Sequence, residues 1–407
     1  MTEQKDCRSC ILIIGSLDSA NFQVVIKIIK SLNLYNIIHV ISTEKGVLDS
    51  KYADTDSIRY YKLELFCNKI LRFAKDRHYD KLYLFFHIFF ILMESFGLVF
   101  NSRSIINKCE QIINSYNVHD VYSILNPSYS HYSVIKLRDK YKLRLYQFWI
   151  DQFSNKSYHI SKLMNIIIGK FFLNRLKIEE EYLLKNADFC FALPETFIGD
   201  NISHRYRHKI EKFEIPYLQN KTVVEKRNEV VFAGAFVAKI RDPQPVFDIL
   251  LSVIPLLKND ISFLFYVQKP DLYSEISDMS GGRIKFYRYI DRKLLDKKLS
   301  ESKMLLTIGN KGISQMPSKT VEYISYRKPI LFFYADDQDA SFRYFNSYPD
   351  VCCIDVRCNK HENTMKLNNF LGKDHDKINY DELMKIAIFK ESTLEYVSDK
   401  IKIHIEA

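Results

Sequence analysis

Short, unbroken apolar runs that hand over to amphipathic stretches recur along this chain, and they leave few folds open. The clearest are CILIIG at 10–15 and VVFAGA at 230–235. A run this short is apolar on both sides when both faces of its sheet are covered, which marks a parallel strand beneath helices. A helical period follows each. Phe22, Val25, Ile26 and Ile29 share one face of 21–32, and Arg241-Asp242-Pro243 opens a helix to about 257 with Asp242 as its cap. Further strands are expected at 37–42, 121–125, 145–150 and 189–193, then at 261–268, 283–290, 304–308, 330–334 and 351–356. A helix over 380–397 closes the pattern. Such alternation specifies an α/β protein with parallel sheets wound on both faces. The polar stretch after Ile215-Pro216-Tyr217-Leu218 divides it in two. We expect Rossmann-like domains at 1–218 and 219–380, with a segment 381–407 whose helix returns to the first domain.

Charge narrows the partners. Fifty-nine Lys and Arg against 49 Asp and Glu leave a net charge of +10 in 407 residues. A basic surface suits anionic lipid, phosphorylated substrates or nucleic acid. The charges are dispersed and no aromatic-basic RNA motif is present, which argues against nucleic acid. Eight cysteines follow a polar N-terminus without a leader pattern, so reduced thiols in a cytoplasmic protein are expected. Cys7-x-x-Cys10 lacks a second pair at zinc spacing, and Cys352, Cys353 and Cys358 with His361 fit buried or incidental thiols better than a metal site. The segment LYLFFHIFFILMESFGLVF at 82–100 is long enough to span a bilayer, but it carries His87 and Glu94. It reads as a core helix or as one dipped into a membrane interface, and 163–177 is a second candidate.

The segment 309–331 carries the chemistry. It runs from a strand end through the loop Gly309-Asn310-Lys311-Gly312 to Pro317-Ser318-Lys319-Thr320-Val321-Glu322 and the next strand. Pro317 suits a first helical position, which would free the N–H groups of Ser318, Lys319 and Thr320 for an anion beside the Lys319 charge. Glu322 lies one turn on and could accept from the two hydroxyls of a ribose. A capped helix with a solvated Lys and Glu is the plain alternative. Ligands of such sheets bind beyond the carboxyl ends of the strands, where Gly234, Arg241, the Tyr287-Arg288-Tyr289 region and Asn310 would also converge.

The order FAGAF with a following RDP, then IGN, then PSKTVEYISYRKPI, resembles the nucleotide-sugar-binding domain of family-four glycosyltransferases of the GT-B fold. The similarity is greatest to bacterial enzymes of capsule, O-antigen and other surface-polysaccharide synthesis. QFWID at 147–151 resembles the family's acceptor-loop strand, and Glu181 with Ala187-Asp188 resembles its helix-to-strand junction. The resemblance implies two domains facing a central cleft, with the C-terminal helix packed back on the first. It implies that Gly234 permits close approach of the donor, and that Arg241 and Lys319 hold the pyrophosphate with help from Ser318. Glu322 would hold the ribose, Asn310 would lie by sugar or phosphate, and Tyr289 would face the base. It further implies retention, and catalysis without a metal or other cofactor. The family often has a second glutamate eight residues before Glu322, and Ser314 stands there. Asp151 is the candidate for orienting the acceptor hydroxyl, with Gly15 and His131 as further acceptor-side candidates and a structural carboxylate or surface histidine as the alternatives.

The expected activity is transfer of a sugar from a UDP-sugar to a hydroxyl of a glycan, polyprenyl-linked, at the inner face of the cell membrane. A nucleotide-sugar epimerase and an inactive sugar-nucleotide-binding partner subunit are the rivals. The former would need an acid/base set that the sequence does not display; the latter is kept open by Ser314.

Overall fold

The computed structural model describes residues 8–14, 20–43, 56–63, 65–77, 79, 81–82, 85–86, 89–90, 93, 102–124, 128–150, 169–197, 204–224, 227–237, 240–312, 316–317 and 319–407. Residues 1–214 with 394–407 form one compact unit and 215–393 a second.

The first unit is built on seven parallel strands: β1 (Arg8–Ile14), β2 (Ile37–Ser42), β3 (Ile58–Lys62), β4 (Asn117–Ile124), β5 (Arg144–Trp149), β6 (Phe189–Ala192) and β7 (Ile210–Lys212). Their order is β3-β2-β1-β4-β5-β6-β7. Helices α1 (Ala20–Ser31), α2 (Phe66–Asp76), α3 (Ser102–Ser115), α4 (Ser128–Tyr141) and α5 (Gly169–Asn186) connect them. In β1 every residue after Arg8 is buried, as its apolar run requires. The Glu181 and Ala187-Asp188 junction proves to be sheet hardware. Asp188 accepts the Leu145 N–H at 2.8 Å and so fixes the start of β5.

β3 and β7 were not expected. IRYYK and IEK are edge strands with polar residues, and they lack the apolar run that marks a covered strand.

Charge is buried at the amino end of β4. Asp120 is fully buried and accepts from Arg8 at 3.0 Å, Arg144 at 2.7 Å and the Tyr35 hydroxyl at 2.6 Å. Three donors replace the water it has lost. Arg144 also donates to the Ile405 carbonyl at 2.5 Å, in the last turn of the C-terminal helix Leu394–Glu406. Ser31 at the end of α1 hydrogen-bonds Ser398 of the same helix. The C-terminal helix therefore packs on the first unit.

The second unit has six parallel strands in the order β10-β9-β8-β11-β12-β13. They are β8 (Glu229–Ala233), β9 (Ser262–Val267), β10 (Ile284–Arg288), β11 (Met304–Ile308), β12 (Ile330–Tyr334) and β13 (Val351–Asp355). Helices α6 (Gln244–Val253), α7 (Ser274–Met279), α8 (Arg292–Glu301), α9 (Lys319–Ile324), α10 (Phe342–Phe345) and α11 (Lys360–Leu371) follow in chain order. Pro243, not Asp242 as expected, occupies the cap position of α6; Asp242 lies one residue before it and accepts the Gln244 N–H at 3.1 Å. The single helix expected over 380–397 is instead three, α12 (Tyr380–Met384), α13 (Ala387–Glu391) and α14 (Leu394–Glu406). Ile386 is extended, and the Ser392 carbonyl leaves the helical pattern to accept the Leu218 N–H at 3.0 Å.

Cys10, Cys109, Cys190 and Cys352 are buried free thiols. Among the described residues no helix is long and apolar enough to cross a membrane. Those described within 81–93 are helical. Phe85 stacks on Phe89 one turn on, and the two are 60% and 38% exposed, whereas Phe90 is 9% exposed. The described residues of this stretch are thus not wholly buried in a core. Of the second apolar candidate, 169–177 belongs to α5 and the rest lies outside the described residues.

His39 offers a test of the first core. It is buried on β2, with Nδ1 3.1 Å from the Tyr61 hydroxyl and the Tyr116 ring 4.5 Å away. Burial, with Arg59 and Lys108 acting in the same direction, lowers its pKa to about 4. The unfolded chain takes up this proton near pH 6.5 and the folded chain resists until about pH 4. The stabilisation is complete above the unfolded value and is lost as pH falls through this window, by about 3 kcal/mol. Denaturant titrations from pH 7 to 4 should show a shallower loss for His39→Gln than for the wild type. Parallel losses would assign the acid sensitivity to other groups.

Candidate functional site

In the second sheet the chain leaves β8 towards β9 and returns past it to β11. Connections therefore diverge at the carboxyl ends of β8 and β11, and a crevice opens there. Gly234 follows β8, and Gly309 and Asn310 follow β11.

Arg241 reaches into this crevice from the β8 loop. It donates to Asn310 Oδ1 at 2.7 Å and to the Ala235 carbonyl at 3.3 Å. Its Nε is buried and has no hydrogen-bond partner among the described residues. Burial lowers the Arg241 pKa, opposed by Asp339, Tyr323 and Tyr289. Two loops are fastened together here, since the Lys311 N–H also donates to the Ile240 carbonyl at 2.7 Å.

Asn310 is held in turn by Asp339, a residue that the sequence did not single out. Asp339 is buried, accepts the Asn310 N–H, and accepts the Ser341 N–H at 2.7 Å. Its carboxylate lies where a side chain at position 309 would be. A Cβ on Gly309 would stand 2.5 Å from Asp339 Oδ2. Glycine is required there by the approach of another residue.

Helix α9 forms the next wall. It has six residues and begins at Lys319, two after Pro317. The Thr320 N–H donates to the Pro317 carbonyl at 3.0 Å. The expectation of Pro317 as first helical residue with three free N–H groups is corrected accordingly: a turn closes before the helix and engages one of them. Tyr323 ties the helix to the end of β8, its hydroxyl accepting the Ala233 N–H at 2.9 Å.

Lys319 is half-buried, and its ammonium has no hydrogen-bond or ion-pair partner among the described residues. Burial lowers its pKa; Arg292 and Arg241 act in the same sense, while Glu322 and Asp296 oppose them. Lys319, Arg241 and Glu322 are therefore close enough to share one field. Glu322 accepts from Arg292 at 2.6 Å, and Arg292 also donates to Asp296 at 3.0 Å. Burial works against the charge on Arg292, but Glu322 and Asp296 outweigh it and raise its pKa. Asp296 is held at about 2: burial opposes this, and Tyr326, Lys221 and Arg292 overcome it. Tyr289, just past β10, completes the group, since burial raises its pKa and Arg241 counteracts that.

The structure thus brings Gly234, Arg241, Tyr289, Asn310, Pro317, Lys319 and Glu322 to one end of one sheet. Ser318, Ser314, Gly15 and Asp151 lie outside the described residues, as does the side chain of His131, whose backbone falls in α4. Sequence reasoning missed Arg292 and Asp339. An aspartate capping a helix, Asp291, accepting the Lys293 N–H at 2.8 Å, was the available signal for where Arg292 would point.

No protein-family model and no curated protein matches the chain. Solved structures do, over nearly their whole length. The lipopolysaccharide outer core galactosyltransferase WaaB, in its apo form, aligns with a TM-score of 0.56 at 11% identity, covering 98% of this chain and 100% of its own. The fold is GT-B. HepE from Anabaena, in complex with UDP and glucose, aligns at 0.54 and 8% identity over 98% of this chain and 97% of its own. UDP-GlcNAc 2-epimerase from Neisseria meningitidis, bound to UDP-GlcNAc, aligns at 0.55 and 12% identity over 98% and 99%. At such identities the likeness establishes architecture, which proteins of different activity share.

Gly309→Ala should destabilise the second unit by about 1–3 kcal/mol, because the Asp339 carboxylate must leave the Asn310 N–H. Urea unfolding measures this. A variant as stable as the wild type would show that Asp339 does not anchor the loop.

Proposed function

We propose that this chain is a glycosyltransferase that moves a sugar from a UDP-sugar to a hydroxyl of a lipid-linked glycan in bacterial surface-polysaccharide synthesis. The observation that carries this reading is Lys319, whose ammonium has no hydrogen-bond or ion-pair partner among the described residues, beside Arg241, whose buried Nε has none among them either, and within range of the Glu322 carboxylate. Two fixed positive charges suit a diphosphate. A carboxylate one helical turn on suits a ribose diol, and among the described residues Glu322 has one oxygen that Arg292 does not engage.

In the transfer the acceptor oxygen bonds to the anomeric carbon as the bond to the diphosphate breaks. The electron pair departs with the diphosphate, where Arg241 and Lys319 stabilise it in place of a metal ion. With retention, the hydroxyl approaches from the face that the diphosphate leaves and passes its proton to the departing oxygen. Asp151 orients that hydroxyl. Gly15 and His131 are assigned to acceptor binding in this reading.

The match to an epimerase favours a second reading, in which the same donor site serves epimerisation of the sugar nucleotide. Product analysis separates them: release of UDP dependent on a glycan acceptor supports transfer, and interconversion of the donor without an acceptor supports epimerisation. A UDP-sugar at a hundredfold its Kd should stabilise the fold by about 2.7 kcal/mol, seen as a rise in Tm. Lys319→Ala and Glu322→Ala should each abolish the rise; an undiminished shift in both would remove the site from this end of the sheet.

A net charge of +10 with exposed Phe85 and Phe89 supports peripheral attachment at the inner face of the cell membrane. The chain should float with anionic vesicles, and Phe85→Glu with Phe89→Glu should weaken flotation several-fold. Equal recovery of both proteins would count against this attachment.

A further inference from the structure

The second unit carries another cavity, of about 820 Å³, at the opposite end of its sheet. Asn228, Lys303 and Pro329 line it, and they immediately precede β8, β11 and β12. The candidate site lies past the far ends of those strands. Five residues of strand span about 16 Å, so one ligand of nucleotide size does not occupy both. The volume is within the range of small-molecule sites.

The cavity is cationic. Among the described residues its lining has Arg227, Lys303, Arg327, Lys328, Lys373 and Lys377 against the carboxylates Asp374 and Asp376. Arg227 is compensated by Glu301 at 3.2 Å and Glu229 at 3.6 Å. Arg327, Lys303, Lys373 and Lys377 have no such carboxylate among the described residues. Arg327 donates to Asn220 Oδ1 at 2.7 Å and to the Lys221 carbonyl at 2.8 Å, acceptors that hold it without cancelling its charge. Lys328 is buried, with its ammonium on the Ser302 carbonyl. The ammonium groups of Lys303, Lys373 and Lys377 have no ion-pair or hydrogen-bond partner among the described residues.

The walls are fixed. Arg327 has a left-handed backbone, φ 50°, a conformation that is strained for a non-glycine residue and needs support from its surroundings. The segment that carries Lys373 and Lys377 is pinned at its centre by His375. One ring nitrogen lies 2.8 Å from the Asp350 carboxylate and the other 3.0 Å from the Phe370 carbonyl. A cluster of like charges on fixed walls is costly unless an anion completes it.

We propose that this cavity binds a phosphate-bearing ligand of up to nucleotide size, at a site separate from that of Arg241 and Lys319. Inorganic pyrophosphate is the probe, titrated calorimetrically into the full-length chain carrying Arg241→Ala and Lys319→Ala, so that the other site cannot report. Saturable binding of one equivalent is expected. Adding Lys303→Glu and Lys377→Glu should weaken it about tenfold or more. Lys303→Gln with Lys377→Gln should weaken it less. The same charge change at Lys285 and Lys390, which do not line the cavity, should leave it intact. Circular dichroism melts verify that each variant is folded. Competition by phosphatidic acid vesicles would place the phosphate on a lipid, and undisturbed pyrophosphate binding would place it on a soluble ligand. No saturable binding, or equal weakening by the Lys285 and Lys390 changes, would overturn the proposal.

Discussion

Arg241 is a charged group drawn out of water, and the second unit is arranged around holding it. Asn310 takes one end of its guanidinium, and the loop that carries Asn310 is held by the buried carboxylate of Asp339. Asp339 is fixed by a backbone N–H and fits because position 309 has no side chain. Each member removes freedom from the one before it. The guanidinium is preorganised, with one buried N–H unmatched among the described residues, rather than folded over by its own flexibility.

The covered strands were legible because burial on both faces leaves an apolar run that nothing else explains. β2, β11 and β12 fall where the runs placed them. β3 and β7 escaped notice because a strand at a sheet's edge can be polar and short. The helix at 380–397 failed for a different reason. Local pattern favoured continuity, but the Ser392 carbonyl is used by a residue far away in sequence, Leu218. The site divides the same way. Arg241, Lys319 and Glu322 follow from the positions of strand ends, which sequence displays. Arg292 and Asp339 act through partners some 30 residues distant, and no period or spacing announces such a pairing.

The two sheets use charge differently. In the first, Asp120 gathers Arg8, Arg144 and Tyr35, so the buried carboxylate is answered on the spot, and Arg144 extends the network to the C-terminal helix. In the second, the cavity at the amino ends of the strands gathers more cations than carboxylates among the described residues. The first pattern makes a joint; the second leaves a field that acts outwards. Breaking such a joint by removing one partner is costly, because a buried charge remains behind.

The contact between Gly309 and Asp339 also makes the two positions a single unit of variation. A chain that acquires a side chain at 309 must shorten or turn aside the one at 339, and Asn310 then loses its anchor. Changes at either position alone are filtered by fit, whereas a paired change is filtered by whether some other acceptor can take the Asn310 N–H. Any drift of this loop through sequence space therefore proceeds in coupled steps, and it is paced by a residue that has no part in the chemistry.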